Sequence, residues 1–382
     1  MNDMRLTMQE TLRLMGSGDL QAATRAIQQG LRGHGPPARQ SVAPTATASG
    51  AGCIEGTFRH VADGQVDGRR APDAGAPPAR EADGEKHGIF GRHCYAGGAG
   101  RLHYKLFVPA GPATGAPALV VMLHGCTQSP DDFARGTRMN ALAGERGCIV
   151  AYPEQAQGRN ANRCWNWFQG NDRRRGPGEA GLIAELTRHL IRAHGVDGRR
   201  VFVAGLSAGG AMAVALVDVC PDLFAAVGVH SGLPAAVARD LPSAVAAMKQ
   251  GGSGRGGAVP VFTTPVPAIV FHGDRDTTVH PHNGAAVVAQ CLGAPVRNPD
   301  GRADGAGAAT IEHGAGAGGR TYTRTIFRTP DGRVAAEQWV VHGGAHAWFG
   351  GDPAGSYADA SGPDASLEML RFFAECAPTD GN

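Results

Sequence analysis

The stretch from Arg200 to Val217, RVFVAGLSAGGAMAVALV, restricts what this chain can fold into more than any other. Val201-Phe202-Val203-Ala204 is an apolar run of strand length. Gly210 to Val217 reads as a helix of small residues. Between them stands the pentapeptide Gly205-Leu206-Ser207-Ala208-Gly209. A strand, then G-x-S-x-G, then a helix predicts a sharp turn that pushes a serine into a strained backbone conformation. Glycines two before and two after it let the strand and helix approach without side-chain clash. In a chain with 58 glycines the pentapeptide alone arises easily by chance; its flanks give it meaning.

The surrounding pattern supplies a sheet to hold such a turn. Strands are predicted at Leu102–Pro109, Ala118–His124, Cys148–Tyr152, Ala225–His230 and Ala268–His272, with helices over 131–146 and 178–194. Continuous apolar strands alternating with helices mean an α/β fold, a mostly parallel sheet covered on both faces. Thr321–Phe327 and Val334–Val341, joined through Thr329-Pro330-Asp331-Gly332, predict a β-hairpin, and a helix over 364–375 closes the domain. Two Gly-rich inserts, 250–258 and 293–320, read as surface loops. At the other end, Met4, Met8, Leu12 and Met15, then Leu20, Ala23, Ile27 and Leu31, fall at helical spacing. The expected organisation is a helical hairpin over 1–33, a Pro/Gly/Ala-rich linker over 34–87, and one large domain over 88–378.

Charge and cysteine usage narrow the function classes. Lys and Arg number 36 against 34 Asp and Glu, a net +2 too balanced to argue for nucleic acid or an anionic membrane. No stretch approaches the roughly 18 apolar residues that span a bilayer. The first ten residues carry charges where a signal peptide needs an apolar core, so a cytoplasmic location is expected, with an extracellular one as the alternative. The eight cysteines form no C-x-x-C, so neither a zinc knuckle nor a redox pair is expected. Cys148 and Cys220 sit in apolar runs and read as inert core thiols.

A serine hydroxyl needs a base, and the base an orienting acid. On a parallel sheet both are expected after later strands, in the order Ser, acid, His. Asp274 and Asp276 both follow Phe271-His272-Gly273, and spacing barely separates them. The later histidines are His280, His282, His313, His342 and His346. His346, in the flexible Gly343-Gly344-Ala345-His346-Ala347-Trp348 turn after a strand, is best placed to present an imidazole. An oxyanion hole needs two backbone N–H groups. Ala208 supplies one, and Cys126 or Thr127 in Leu123-His124-Gly125-Cys126-Thr127-Gln128 the other, with His124 bracing the loop or contacting substrate. Trp165, Trp167 and Phe168 crowd one loop. They either pack beneath the site or line an acyl or alcohol pocket, and Trp348 is a further candidate for that lining.

Taken together and in order, the Leu123 to Gln128, Cys164-Trp165-Asn166-Trp167-Phe168, Gly205 to Gly210, His272 to Val279 and Gly344 to Trp348 segments resemble the polyhydroxybutyrate (PHB) depolymerase family of serine esterases, over roughly 88–375. The resemblance implies an α/β-hydrolase fold and a Ser207, Asp276, His346 triad, settling the acid in favour of Asp276. It implies ester substrates: poly(3-hydroxybutyrate) or its oligomers, with acetylated or feruloylated polysaccharides for some relatives; it implies no metal or organic cofactor. The chain is expected to depart from the secreted depolymerases in two ways, with no signal peptide recognisable in its first residues and no C-terminal polymer-binding module expected. The loops of Cys126 and Cys164 are expected to meet near the site. Either a disulfide joins them and rigidifies the oxyanion loop, or both stay reduced thiols. Two rivals share the fold, a serine peptidase and a non-catalytic binding protein. The sequence names no partner for the N-terminal hairpin.

Overall fold

The computed structural model describes residues 87–111, 115–170, 176, 178–251, 260–293, 296–297, 302–303 and 309–377. The helical hairpin expected over 1–33 and the linker over 34–87, His87 apart, lie outside the described residues.

The strands are β1 (Gly88–Gly97), β2 (Gly100–Pro109), β3 (Leu119–Leu123), β4 (Ile149–Pro153), β5 (Val201–Leu206), β6 (Ala226–His230), β7 (Ala268–Gly273), β8 (Val296–Arg297), β9 (Arg302–Ala303), β10 (Thr310–Ala315), β11 (Thr321–Arg328), β12 (Val334–Val341), β13 (Trp348–Phe349) and β14 (Ala358–Asp359). The helices are α1 (Pro130–Thr137), α2 (Met139–Gly144), α3 (Glu179–His194), α4 (Ala208–Val219), α5 (Leu241–Gln250), α6 (His282–Leu292) and α7 (Ala365–Cys376). Ten strands form one sheet in the order β1-β2-β4-β3-β5-β6-β7-β12-β11-β10. The run from β4 through β12 is parallel, and antiparallel strands finish both edges.

The apolar runs make this sheet because both faces are covered. In β3, Leu119, Val121 and Leu123 enter one core and Val120 and Met122 the other. In β5, Val201 and Val203 go one way and Phe202, Ala204 and Leu206 the other. Successive side chains point to opposite faces, so a strand buried on both reads as an unbroken apolar run. The apolar faces of α3, α4 and α6 close the first core, and those of α1, α2 and α7 the second. Each fully buried Leu, Val or Phe contributes roughly 1.5–3 kcal/mol.

Three local expectations are corrected. The single helix expected over 131–146 is two, α1 and α2, parted at Arg138, whose φ of 55° is left-handed. The insert 293–320 is not all loop. Thr310–Ala315 pairs with β11 as an edge strand, largely exposed and so without an apolar face to announce it. His313 is therefore on a strand. The sheet also begins earlier, because β1 lies antiparallel on β2.

Candidate active site

The residues singled out in the sequence follow strands β3, β5, β7 and β12, at the carboxyl ends where α/β sheets bind ligands. Ser207 lies between β5 and α4 with φ 57° and ψ −119°, outside the regions that favour a side chain. Its amide donates to the His230 carbonyl at 2.9 Å, and its carbonyl accepts from the Ala211 amide at 2.9 Å. The turn closes only because the glycines are there. A Cβ at Gly205 would collide with the Gly209 carbonyl group, and one at Gly209 with the Leu123 carbonyl.

Asp276 and His346 come together although 70 residues separate them. His346 Nδ1 is 2.6 Å from Asp276 Oδ2, and the Asp276 carboxylate is fully buried. A carboxylate only accepts, so His346 Nδ1 is the donor in this contact, and Nε2 is the ring nitrogen that the aspartate leaves unengaged. Asp276 Oδ1 accepts the amides of Thr278 and Val279 at 2.9 and 2.8 Å. His272 Nε2 lies 3.4 Å from Oδ2. Burial works against the charge on Asp276, but hydrogen bonds from His272, His346 and the Val279 amide outweigh it. They hold the carboxyl well below the usual carboxylate range.

Asp274 has a separate partner. Its Oδ2 is 3.1 Å from His342 Nδ1, and its Oδ1 accepts the Gly343 amide at 2.7 Å. His342 Nε2 is 2.9 Å from the Thr323 hydroxyl, which also meets His313 Nδ1 at 3.1 Å. His280 and His282 sit at the start of α6, with rings 4.6 Å apart.

Opposite the elbow, Cys126 and Cys164 are joined in a disulfide. The Thr127 amide donates to Asn162 O at 2.7 Å. Of the two candidate amides on this loop, that of Thr127 is therefore already engaged. Among the described residues the Cys126 and Ala208 amides have no internal acceptor. The loop is braced from behind. The Gly125 amide donates to Gln128 Oε1 at 2.9 Å, and Gln128 Nε2 donates to Asp132 Oδ2 and Ser356 O, each at 3.0 Å.

His124, offered as a substrate contact, faces inward instead. It is 1% exposed, its Nε2 accepts the Gln155 amide at 3.1 Å and its Nδ1 donates to Gly125 O at 2.8 Å. Burial pushes its pKa down to about 4, so it is a neutral brace. The tryptophans offered as pocket lining are corrected too. Trp165, Trp167 and Trp348 are all buried, and Trp165 Nε1 donates to His124 O while Trp348 Nε1 donates to Ser366 Oγ. A large indole whose N–H finds an internal partner gains more from the core than from an open wall. Beneath Trp165, the buried Glu179 carboxylate accepts from Gln155 Nε2 and from the Asn166 amide and side chain, tying that loop to α3.

Two histidines without an expected role prove central. His272 ends β7 beside Asp276, and its Nε2 also reaches Val279 O at 2.8 Å. His230 ends β6, fully buried between Phe271 and Trp348. Its Nε2 accepts the Phe349 amide at 3.1 Å and its Nδ1 meets Ser231 Oγ at 3.2 Å. Burial first, then the neighbouring His272 and His346, keep it well below the usual histidine range. Its backbone carbonyl holds Ser207 and its ring holds the strand after His346. The sequence signal was a histidine closing an unbroken apolar strand, Ala226-Val227-Gly228-Val229-His230 and Ala268-Ile269-Val270-Phe271-His272.

Among the described residues no group of His, Cys, Asp and Glu could hold a metal ion, and no helix is long and apolar enough to cross a membrane.

The chain is similar to poly(3-hydroxyalkanoate) depolymerase C of Paucimonas lemoignei, at 36% identity over 200 residues that are 50% of this chain and 48% of that protein. It is similar to poly(3-hydroxybutyrate) depolymerase of Ralstonia pickettii, at 29% over 283 residues, 69% of this chain and 55% of that one. The chain thus spans about half the length of these curated relatives. A probable acetylxylan esterase A of Aspergillus fumigatus is 32% identical over 200 residues, 48% of this chain and 53% of that one. Among solved structures, an acetyl xylan esterase from Aspergillus awamori shares the fold. Its TM-score is 0.55 at 19% identity, over 75% of this chain and 100% of that one. The family model described as esterase PHB depolymerase matches residues 102–312, more than half of the sequence, and the chain belongs to that family.

Proposed function

We propose that this chain is a serine carboxylic-ester hydrolase that cleaves esters of short hydroxyalkanoic acids, polymeric or oligomeric, by two-step acyl transfer. The observation that carries the reading is the 2.6 Å contact between His346 Nδ1 and a buried Asp276 carboxylate. It leaves Nε2 of His346 as a base, with a serine presented on a strained turn at the end of β5. In this reading His346 takes the Ser207 proton as the hydroxyl attacks the ester carbonyl. Asp276 holds the imidazole and stabilises its charged form. The amides of Cys126 and Ala208 receive the developing oxyanion. His346 then protonates the leaving alcohol, and water, activated by the same imidazole, releases the acid and restores Ser207.

The relatives named as depolymerases support hydroxyalkanoate esters. Those named as acetylxylan esterases support a second reading on the same site, an acetyl ester of a polysaccharide. The Cys126–Cys164 bond favours an extracellular setting over a cytoplasmic one, since disulfides persist where the surroundings are oxidising.

The test is hydrolysis of amorphous poly(3-hydroxybutyrate), its soluble oligomers and acetylated xylan, side by side, with Ser207→Ala as control. Turnover of the oligomers, lowered by about 10⁴-fold or more in Ser207→Ala, is expected. Equal turnover in pure Ser207→Ala protein would refute the nucleophile assignment, and activity on acetylated xylan alone would shift the substrate to the second reading.

A further inference from the structure

Seven described non-glycine residues have a left-handed φ: Thr127, Arg138, Arg163, Ser207, Ser231, Ala236 and Tyr357. Such conformations persist where the surroundings over-determine them, and they cluster at ligand sites. Five of the seven flank the candidate active site. Thr127 and Arg163 adjoin the bridged cysteines, Ser207 is the elbow, and Ser231 follows His230. The fifth is Tyr357, at φ 53°.

Tyr357 is 47% exposed, and no other Phe, Tyr or Trp among the described residues is as open. Its ring centre lies 6.4 Å from that of His346, edge to face at 80°. The backbone beneath it is fixed on two sides. The Tyr357 carbonyl accepts the Trp348 amide at 2.6 Å, two residues beyond His346. On the other side the Ser356 amide donates to Asp132 Oδ1 at 2.9 Å, and the Ser356 carbonyl accepts from Gln128 Nε2, which reaches the oxyanion loop through Gly125. A strained backbone, anchored to both halves of the site, thus holds an uncovered aromatic face beside the base.

The chemistry of the reaction says which half of the substrate lies there. The imidazole that activates the serine must next protonate the leaving alkoxide, so it stands within hydrogen-bond reach of that oxygen. A ring beside the imidazole on the solvent side is therefore beside the alcohol half of the ester, not the acyl half. Resting on the ester-hydrolase reading, we infer that Tyr357 is the platform for the leaving alcohol. It selects esters whose alcohol carries its own carbon chain, such as the next hydroxyacyl unit of an oligomer, over esters of methanol. A rigid aromatic surface binds such a chain with little loss of side-chain freedom.

The test varies the alcohol and the acyl group separately. Methyl 3-hydroxybutyrate and the methyl ester of the linear 3-hydroxybutyrate dimer form the alcohol series. Methyl acetate and methyl butyrate form the acyl series. In Tyr357→Ala, and in Tyr357→Gly, which adopts the left-handed φ without strain and guards against misfolding, the dimer-to-monomer ratio of kcat/KM should fall about five- to tenfold. The loss should appear in KM, and the acetate-to-butyrate ratio should shift less than about twofold. Tyr357→Phe should keep the wild-type ratios, because the ring face and not the hydroxyl is the contact. An unchanged dimer-to-monomer ratio in a folded Tyr357→Gly protein overturns the inference. So does an equal shift in both series. Wild-type protein inert to all four esters and to a fluorophosphonate overturns the esterase reading itself, and this inference with it.

Discussion

Two aspartate–histidine pairs leave the same strand end two residues apart and meet histidines four residues apart, yet the protein treats them differently. Asp274 and His342 are 37% and 42% exposed and meet at 3.1 Å, with His342 turned to the Thr323 hydroxyl on the edge hairpin. Asp276 and His346 are 0% and 11% exposed and meet at 2.6 Å. The inner carboxylate also receives two amides and the neighbouring His272. Water screens the first pair and lets both partners move, so its coupling is weak. The second has no water to compete with, and its hydrogen bonds fix tautomer and orientation together. Chemistry of the same residue types is assigned by burial, not by residue type.

The comparison can be broken most forcefully at Asp276. Asp276→Asn should lower kcat by about 10⁴-fold, since an amide no longer enforces the Nδ1–H tautomer. Steady-state kinetics on a short-chain ester reads this, and a loss smaller than tenfold would make the inner pair no more than structural. A smaller effect is expected when the pair stays intact and the group facing it is loosened. Cys164→Ser frees the Cys126 loop and should reduce kcat by up to about 10²-fold, the lower range for losing an oxyanion donor. A closed loop of this length, with cysteines 38 residues apart, should also be worth about 4 kcal/mol on the chain-entropy model, read as a lower Tm. Thiol titration of denatured, unreduced wild-type protein should give two fewer thiols than after reduction, and equal counts would contradict the bridge.

Acid sensitivity gives a subtler contrast. The folded protein holds the Asp276 carboxyl below its usual value near 4, so on acidification the unfolded chain takes up that proton first. The contribution of this group is full above about pH 4 and is lost as the pH falls further. Tm should therefore drop more steeply below pH 4 in wild-type protein than in Asp276→Asn. Parallel curves would contradict the assignment. The smallest effect is expected at the outer pair. Asp274→Asn can still accept the Gly343 amide through its side-chain oxygen, and kcat should stay within about threefold of wild type.

Much of this site was legible in the chain. Ser207 could be placed because strand and helix patterning are local, and a G-x-S-x-G between them has one geometric meaning. The buried strands were legible because a sheet covered on both faces leaves unbroken apolar runs. Asp276 could not be told from Asp274 by spacing, because the difference between them is which side of the β7 turn faces the core. The positions of His230 and His272 were not legible for the same reason. A histidine ending an apolar strand gives no sign of what lies above it, and their partners Phe349 and Val279 follow 119 and 7 residues later. The tryptophans show the same limit. Aromatics suit a core or a pocket wall alike, and only the structure shows that Trp165, Trp167 and Trp348 are buried, with internal acceptors for the Trp165 and Trp348 N–H groups. Tyr357 stands alone in the sequence, and only its backbone conformation and exposure draw attention to it.

The most direct measurement is labelling by a fluorophosphonate, located by peptide mass spectrometry. Wild-type and Asp274→Asn protein should each take up one label per chain, on Ser207, at similar rates. Asp276→Asn should react at least a hundredfold more slowly, and Ser207→Ala not at all. Label on another residue, or equal rates in the two aspartate variants, would contradict the assignment of Ser207, His346 and Asp276 as a working unit.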